Sequence, residues 1–351
     1  MSTSLLHIAN TFFEWECEAD PHVDLYQAFH KHPVYLQLQF LPLLYANPGE
    51  EIVCSDLPEE EYIARCPMRL RDLRANFSGA MIETWGASQI VQKWAAAKGI
   101  VYKMPPYEVV KQINAKDFTL EMTSRLPSAT LVRDETEAKR WLELQTGPCV
   151  FKSCFGVSGR GHLHAEPGET SWEKILTFLK REWQADRPVV AEPWVQRVLD
   201  FSTQWKIAPS GDIAFIGATL MGNDARGGYL WSRSGSEAQL FSAYRSFVDD
   251  QKVIAESLLR HVSQLGYFGE VGLDAMLFRQ GDRVALHPVV EMNARKTMGW
   301  VCATFQQKQF PTQVVQLEYT TEKTGLLPHT LVTRSAKKIH FERNLQMHVY
   351  N

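Results

Sequence analysis

The sequence predicts an α/β chain: an open α/β domain first, then an α+β region that carries the chemistry. Three observations predict it. Over roughly the first 110 residues, short apolar runs alternate with helical spacing, the pattern of strands and helices sharing an open sheet. From Ile113 onward, helices led by side-chain caps stand between strand-like runs. Late in the chain, residues 271–278 and the run ending at Asn293 read as a long hairpin turning at Gln280-Gly281-Asp282. The 351 residues allow one large or two to three smaller domains.

Taken in order, residues 5–9 form a short apolar run ending at Asn10, a first buried strand. Residues 24–32 suit a short helix stopped by Pro33. Pro42, Pro48 and Gly49 mark loop, and 51–54 a strand. Ile90, Val91 and Trp94 give helical spacing up to Gly99, with 100–102 as a further strand. A new unit begins near 113–117. Asp134 with Glu137 three residues on is an N-cap signal, Ala138, Trp141 and Leu142 supply the apolar face, and Gly147-Pro148 ends the helix. Residues 149–152 are strand-like and run into a glycine loop. Thr170 and Glu173 read as a second capping box, before Trp172, Ile175, Leu176, Leu179 and Trp183 at core-packing spacing. Strand-like pieces at 201–207 and 213–218 flank a turn at 209–212. Residues 222–236 are polar and glycine-rich, predicting a mobile loop. Val253, Ile254, Leu258, Val262 and Leu265 predict an amphipathic helix ending at Gly266. Pro288 removes a ladder donor, so its strand should lie at an edge or a bulge. After Trp300 the signals weaken.

Composition narrows the class. Hydrophobic residues at 45% and charged residues at 22% are those of a soluble globular chain. A net charge of −3 gives no global attraction to nucleic acid or anionic membrane. No apolar run approaches the roughly 18 residues of a membrane span. The first ten residues lack the basic and apolar regions of a signal peptide. Six dispersed cysteines without a Cys-x-x-Cys pair fit reduced thiols in a cytoplasmic protein.

The stretch His287–Trp300 begins as an apolar strand and ends in charge. Residues two apart on a strand share a face, so Glu291, Asn293 and Arg295 project together if the strand continues. A carboxylate beside an amide oxygen is a hard oxygen pair suited to Mg²⁺, and an arginine adds a fork for phosphate or carboxylate. The plain alternative is a strand end meeting water. Lys152 sits between apolar neighbours, where an ammonium wants an anion, just before Ser158-Gly159-Arg160-Gly161, whose glycines let backbone N–H groups approach phosphate. Its alternative is a snorkelling lysine before a turn. His162 and His164 border this loop as an alternating pair and read as solvated.

In order and spacing, four stretches resemble the ATP-grasp superfamily of ATP-dependent ligases over about residues 113–305: Lys116; Lys152 with its loop; Glu192 to Asp200; and Asp274 with Glu291 and Asn293. The resemblance implies a pre-ATP-grasp α/β domain over 1–112, grasp subdomains over 113–190 and 191–305, and an extension over 306–351. It implies ATP held by Lys116, Lys152, Ser158, Gly159 and Gly161. Backbone groups near Glu192 and Val195 would bond adenine, and Asp200 would take the ribose, where the family often has glutamate. Asp274, Glu291 and Asn293 would hold Mg²⁺, and Arg295 would hold a substrate carboxylate or acyl phosphate, with Lys152 and Arg295 as the catalytic pair. Some such ligases carry an arginine two residues before the metal aspartate; here Gly272 stands there, with Lys206, Arg226 and Arg233 as candidate replacements. The implied reaction joins a carboxylate to an amine through an acyl phosphate. A grasp-type phosphotransferase and a non-catalytic ATP-binding regulator stay open beside it. The expected partners are the acid and the amine, with no nucleic acid or membrane, and a homodimer remains open.

Overall fold

The computed structural model describes residues 5–77, 79–156 and 161–350. Its first layer grows from β1 (Leu5–Ile8), followed by α1 (Phe13–Ala19), β2 (Glu51–Cys54), β3 (Arg69–Asp72) and β4 (Met81–Thr84). The four strands form a parallel sheet in the order β3-β2-β1-β4. Parallel strands are covered on both faces, which is why β1 and β2 read as near-continuous apolar runs. The polar exceptions are His7 and Glu51; His7 places its Nε2 2.8 Å from Glu50 Oε2. Helix α2 (Gln89–Ala97) starts where the Ser88 hydroxyl accepts from Val91 N.

The middle of the chain builds a smaller layer from α3 (Lys116–Met122), β5 (Thr130–Val132), α4 (Glu135–Glu143), β6 (Cys149–Ser153), β7 (His162–Ala165), α5 (Trp172–Trp183) and β8 (Val189–Pro193). Its four strands run antiparallel in the order β5-β8-β6-β7. Ala138 and Trp141 of α4 and Ile175 and Leu179 of α5 close a core over Phe151.

The largest sheet uses β9 (Arg197–Ile207), β10 (Ile213–Asn223), β11 (Tyr229–Ser234), β12 (Gly269–Gln280), β13 (Arg283–Asn293), β14 (Val314–Thr320) and β15 (Asn344–Tyr350). All seven are antiparallel, in the order β13-β12-β9-β10-β11-β14-β15. Helices α6 (Arg245–Gln264) and α7 (Met298–Gln309) pack on it. Residues 330–332 pair with 338–340 and with 57–58, tying the end of the chain to its beginning. One continuous core joins the first sheet to the last: Leu6, Phe12, Ile207, Val271, Met292 and Leu345 share a buried cluster.

Most sequence expectations hold, and the departures have physical causes. Pro288 sits as required, since β13 is an edge strand and the β12–β13 register shifts between Asp274 and Met276. Pro33 begins a helix, Pro33–Leu38, where its missing N–H costs nothing. Residues 100–102 are not a strand: they lead into Pro105-Pro106, and Val101 is 74% exposed. The cap of α5 is Ser171, which accepts from Lys174 N, while the Thr170 hydroxyl is used by Glu166 N. Residues 222–236 are mostly strand. Tyr229–Ser234 alternates and pairs on both sides, and only a tight turn remains, in which Asp224 Oδ1 accepts from Arg226 N and Gly228 N at 2.8 and 2.7 Å. On α6 the buried face is Val248, Ala255, Leu258, Leu259 and Val262, whereas Val253 points to solvent.

Candidate active site

A cavity of about 230 Å³ opens where the three sheets meet. The sequence-predicted residues Lys116, Lys152, Asp200, Asp274, Glu291, Asn293 and Arg295 all line it. Ser158 and Gly159 lie outside the described residues. Gly161 lies at the near end of that loop with φ +84° and accepts from Ser153 N at 2.8 Å. Its left-handed backbone is one that glycine enters freely.

Lys116 opens α3 and is buried; its Nζ lies 2.8 Å from Glu291 Oε1 on β13. Lys152 on β6 is equally buried and forms an ion pair with Glu192 on the adjacent strand β8. Both lysines are thus compensated, as buried ammonium groups must be. Glu192 is itself buried, so its carboxylate is not a strand end in water. Val195 packs against Val190, Met276 and Phe278 in an apolar patch. Asp200 on β9 is held by Arg197 Nη1 at 3.2 Å and Asn223 Nδ2 at 3.1 Å.

Asp274 and Glu291 face each other across the β12–β13 ladder. Two carboxylates side by side at the foot of a cleft repel, and the Asp274 carboxyl is pushed up to about 6, by desolvation first and by Glu291 second. Asn293 Nδ2 donates to Asp274 Oδ2 at 3.2 Å, and Asn293 Oδ1 accepts from Arg295 Nη2 at 2.9 Å. Two paired carboxylates and an amide make a donor set that fits one divalent cation, whose charge would relieve the repulsion. Among the described residues, no group of three or more His, Cys, Asp or Glu side chains could hold a metal. Arg295 reaches this end of the site differently from the expectation. β13 stops at Asn293, and the chain turns back, with Arg295 N donating to Asn293 O at 2.8 Å and residue 295 bridging to Gly86. Its Nη1 donates to Lys296 O, and its Nε meets the Glu14 carboxylate in an ion pair.

None of the three expected replacement cations lines this cleft. Lys206 pairs with Glu270 at 3.1 Å, Arg233 donates to Gln316 Oε1 and lies over the Trp231 ring, and Arg226 sits within the Asp224 turn. Arg197 is the cation that sequence reading missed. His162 was missed too: it stands opposite Lys152 in the β6–β7 ladder and lines the cleft. Burial, then Lys152 and Lys116, push its imidazole down to about 2, so it stays neutral. Strand alternation opposite Lys152 was the available signal. Glu14 and Thr11, also in the cleft, follow the carboxyl end of β1, where open α/β sheets place ligands.

The glycine at 272 has a packing reason. A Cβ there would lie 2.6 Å from Thr297 Cγ2 and 3.1 Å from Gln204 Oε1. Thr297 cannot yield easily, because it caps α7 and donates to Gln204 Oε1 at 2.8 Å. Gly272→Ala is therefore expected to lower stability by about 1–3 kcal/mol, the usual cost of overpacking, read as a shift of the urea midpoint at constant slope.

No protein-family model and no curated protein sequence matches the chain. Solved structures do match. Biotin carboxylase from Campylobacter jejuni, in a β-γ-ATP complex, aligns over 93% of this chain and 78% of its own at 12% identity, TM-score 0.58. N5-carboxyaminoimidazole ribonucleotide synthetase from Thermus thermophilus aligns over 99% and 93% at 14% identity, TM-score 0.53. The biotin carboxylase domain of Hydrogenobacter thermophilus 2-oxoglutarate carboxylase, a dimer with MgADP, ADP and bicarbonate, aligns over 78% and 70% at 14% identity, TM-score 0.53. The fold they share with this chain is the ATP-grasp fold. Within the described residues, no helix is long and apolar enough to cross a membrane.

Proposed function

We propose that this chain is an ATP-dependent ligase that joins a carboxylate to an amine through an acyl phosphate, releasing ADP and phosphate. The observation that carries the reading is the convergence in one cleft of two buried lysines, a facing carboxylate pair and the Arg295 fork. In this reading Lys116, Lys152 and the Ser158–Gly161 loop take the phosphates of ATP, Glu192 to Val195 the adenine, and Asp200 with Arg197 the ribose. Asp274, Glu291 and Asn293 would hold Mg²⁺, which supplies charge compensation for the transferred phosphoryl group. Residues 113–190 and 191–305 act as the two halves of the grasp, 1–112 supplies the wall behind Arg295, and 306–351 is an extension that completes the large sheet.

The substrate carboxylate attacks the γ-phosphorus while Lys116, Lys152 and Arg295 offset the developing charge. The nitrogen nucleophile then attacks the acyl carbon. Neutral His162 can donate to a phosphate oxygen without competing for its proton. The test is ADP release with Mg-ATP across a panel of acids (bicarbonate, the amino acids, simple di- and tricarboxylates) crossed with amines (the amino acids, ethanolamine, putrescine, spermidine), with product mass detected. ADP release that needs both an acid and an amine is the expected outcome. Release with an acceptor alone, giving a stable phosphorylated product, would mark a phosphotransferase instead.

A further inference from the structure

We propose that Lys296 positions Arg295 for the acid, by tying residues 295 and 296 to the edge of the first sheet, so that the first domain sets how the acid is held. The inference rests on the ligase reading above, in which Arg295 takes the carboxylate.

The large sheet does not fix Arg295. Its β12–β13 ladder ends at the Gly272–Asn293 pair, and beyond it Ala294 N donates to Asn114 Oδ1 at 2.8 Å. The next two residues are held by the chain that leaves β4. Arg295 bridges to Gly86, and Lys296 N donates to Trp85 O at 2.8 Å. Trp85 and Gly86 are fastened in turn. Buried Asn10 accepts from their two N–H groups at 3.0 and 3.3 Å and donates to Gly86 O at 3.0 Å. An isolated bridge is still a weak fastening, since one hydrogen bond contributes little net stability.

The Lys296 side chain reinforces it. Its Nζ donates to Thr84 O at 2.8 Å and pairs with Glu83 Oε1 at 2.8 Å, both on β4. It also lies 3.5 Å from Glu270 Oε2 on β12, the strand that carries Asp274. The side chain is fully buried, with the ammonium 5.1 Å from the Trp300 ring centroid and 5.8 Å from that of Tyr45. Burial favours a proton on Glu83, but Lys296 outweighs it and holds that carboxyl below its ordinary value, so the pair is ionised. Desolvating an ammonium is costly, and an apolar side chain of similar volume often packs such a space as well. What the charge adds is direction. Three oxygens on two sheets fix where residue 296 lies, and Arg295 Nη1 donates to Lys296 O at 3.0 Å, so the same anchor reaches the guanidinium.

The experiment is a double-mutant cycle read on the acid. Lys296→Met alone would strand Glu83, so it is made together with Glu83→Gln, which removes both charges at similar volume. Glu83→Gln by itself is the milder variant. Each is assayed by ADP release with the acid and amine selected by the panel, in the wild-type and Arg295→Lys backgrounds, and urea midpoints identify the folded variants. The paired variant should lose on the order of 10²-fold in kcat/KM for the acid, the loss that misplacing a binding group by about 1 Å brings. KM for Mg-ATP and the Mg²⁺ requirement should stay near wild type. In the Arg295→Lys background the same pair of changes should cost little more, because the fork it positions is already gone. If the paired variant does not fold, Glu83→Gln carries the same comparison with a smaller loss. Additive losses, equal losses in acid and ATP efficiency, or no loss in any folded variant would assign Lys296 to stability alone and overturn the proposal. Wild type showing no acid-dependent ADP release would instead overturn the ligase reading, and this proposal with it.

Discussion

Lys152→Ala is expected to abolish ATP turnover and to destabilise the fold as well. The lysine is buried on β6, and its ion-pair partner Glu192 is buried on the next strand. Removing one member of a buried pair strands the other charge, at a cost of about 3–5 kcal/mol. Sequence reading alone predicts loss of turnover with an intact fold, from a lysine between apolar neighbours that opens into a glycine loop; the buried partner Glu192 adds the loss of stability. The two effects separate with a second change. Lys152→Met with Glu192→Gln removes both charges and keeps similar volumes, so urea unfolding should return most of the lost stability. ADP release should stay at background, since no ammonium remains beside the glycine loop. Turnover near the wild-type rate in that double variant would rule Lys152 out as a phosphate ligand.

Glu291→Gln should raise the Mg²⁺ requirement and lower turnover on the order of 10²-fold, as lost electrostatic contacts to transition-state charge usually do. The substitution also leaves Lys116 without its partner at 2.8 Å. Its pH signature is specific. The Asp274 carboxyl lies up at about 6, with Glu291 as the second cause after desolvation. Protons therefore compete with Mg²⁺ below about pH 6, and apparent metal affinity should fall up to about tenfold per unit there. In Glu291→Gln that break should move to lower pH, because the neighbouring negative charge is gone. In the absence of metal the sign for stability is opposite. A carboxyl raised above its ordinary 3.8 binds its proton more tightly folded than unfolded, so stability falls as pH rises from 3.8 to about 6. Arg295→Lys keeps the charge but loses the fork. It should weaken use of the acid while Mg²⁺ dependence stays near wild type. Titrations of Mg²⁺ against ADP release at pH 5.5, 6.5 and 7.5 check all three. A break that does not move in Glu291→Gln would mean that the two carboxylates are not coupled.

Much of this was legible in the sequence, for local reasons. The hairpin of β12 and β13 follows from two alternating runs around Gln280-Gly281-Asp282, and alternation alone sets Glu291 and Asn293 on one face. The order of Lys116, Lys152, Asp274, Glu291 and Asn293 carried the family resemblance, and the fold agrees with it. Caps were legible to within a residue: Asp134 holds Glu137 N, but the second cap slipped from Thr170 to Ser171 because adjacent hydroxyls are equivalent in a linear pattern. β11 was not legible, since its glycine-rich entry reads as loop and its partner β14 lies far along the chain.

What the sequence by itself determined is therefore everything set by neighbours along the chain: strand and helix periods, the turns, and which side chains share a face. Which charges meet was decided only in three dimensions. Lys116 and Glu291 stand 175 residues apart. Glu14, on α1, touches Arg295 just beyond the end of β13. Arg197 and neutral His162 enter the cleft because their strands face it. Periodicity is a property of consecutive dihedrals, whereas the field at a buried carboxylate depends on every charge within a few ångströms, whatever its place in the chain.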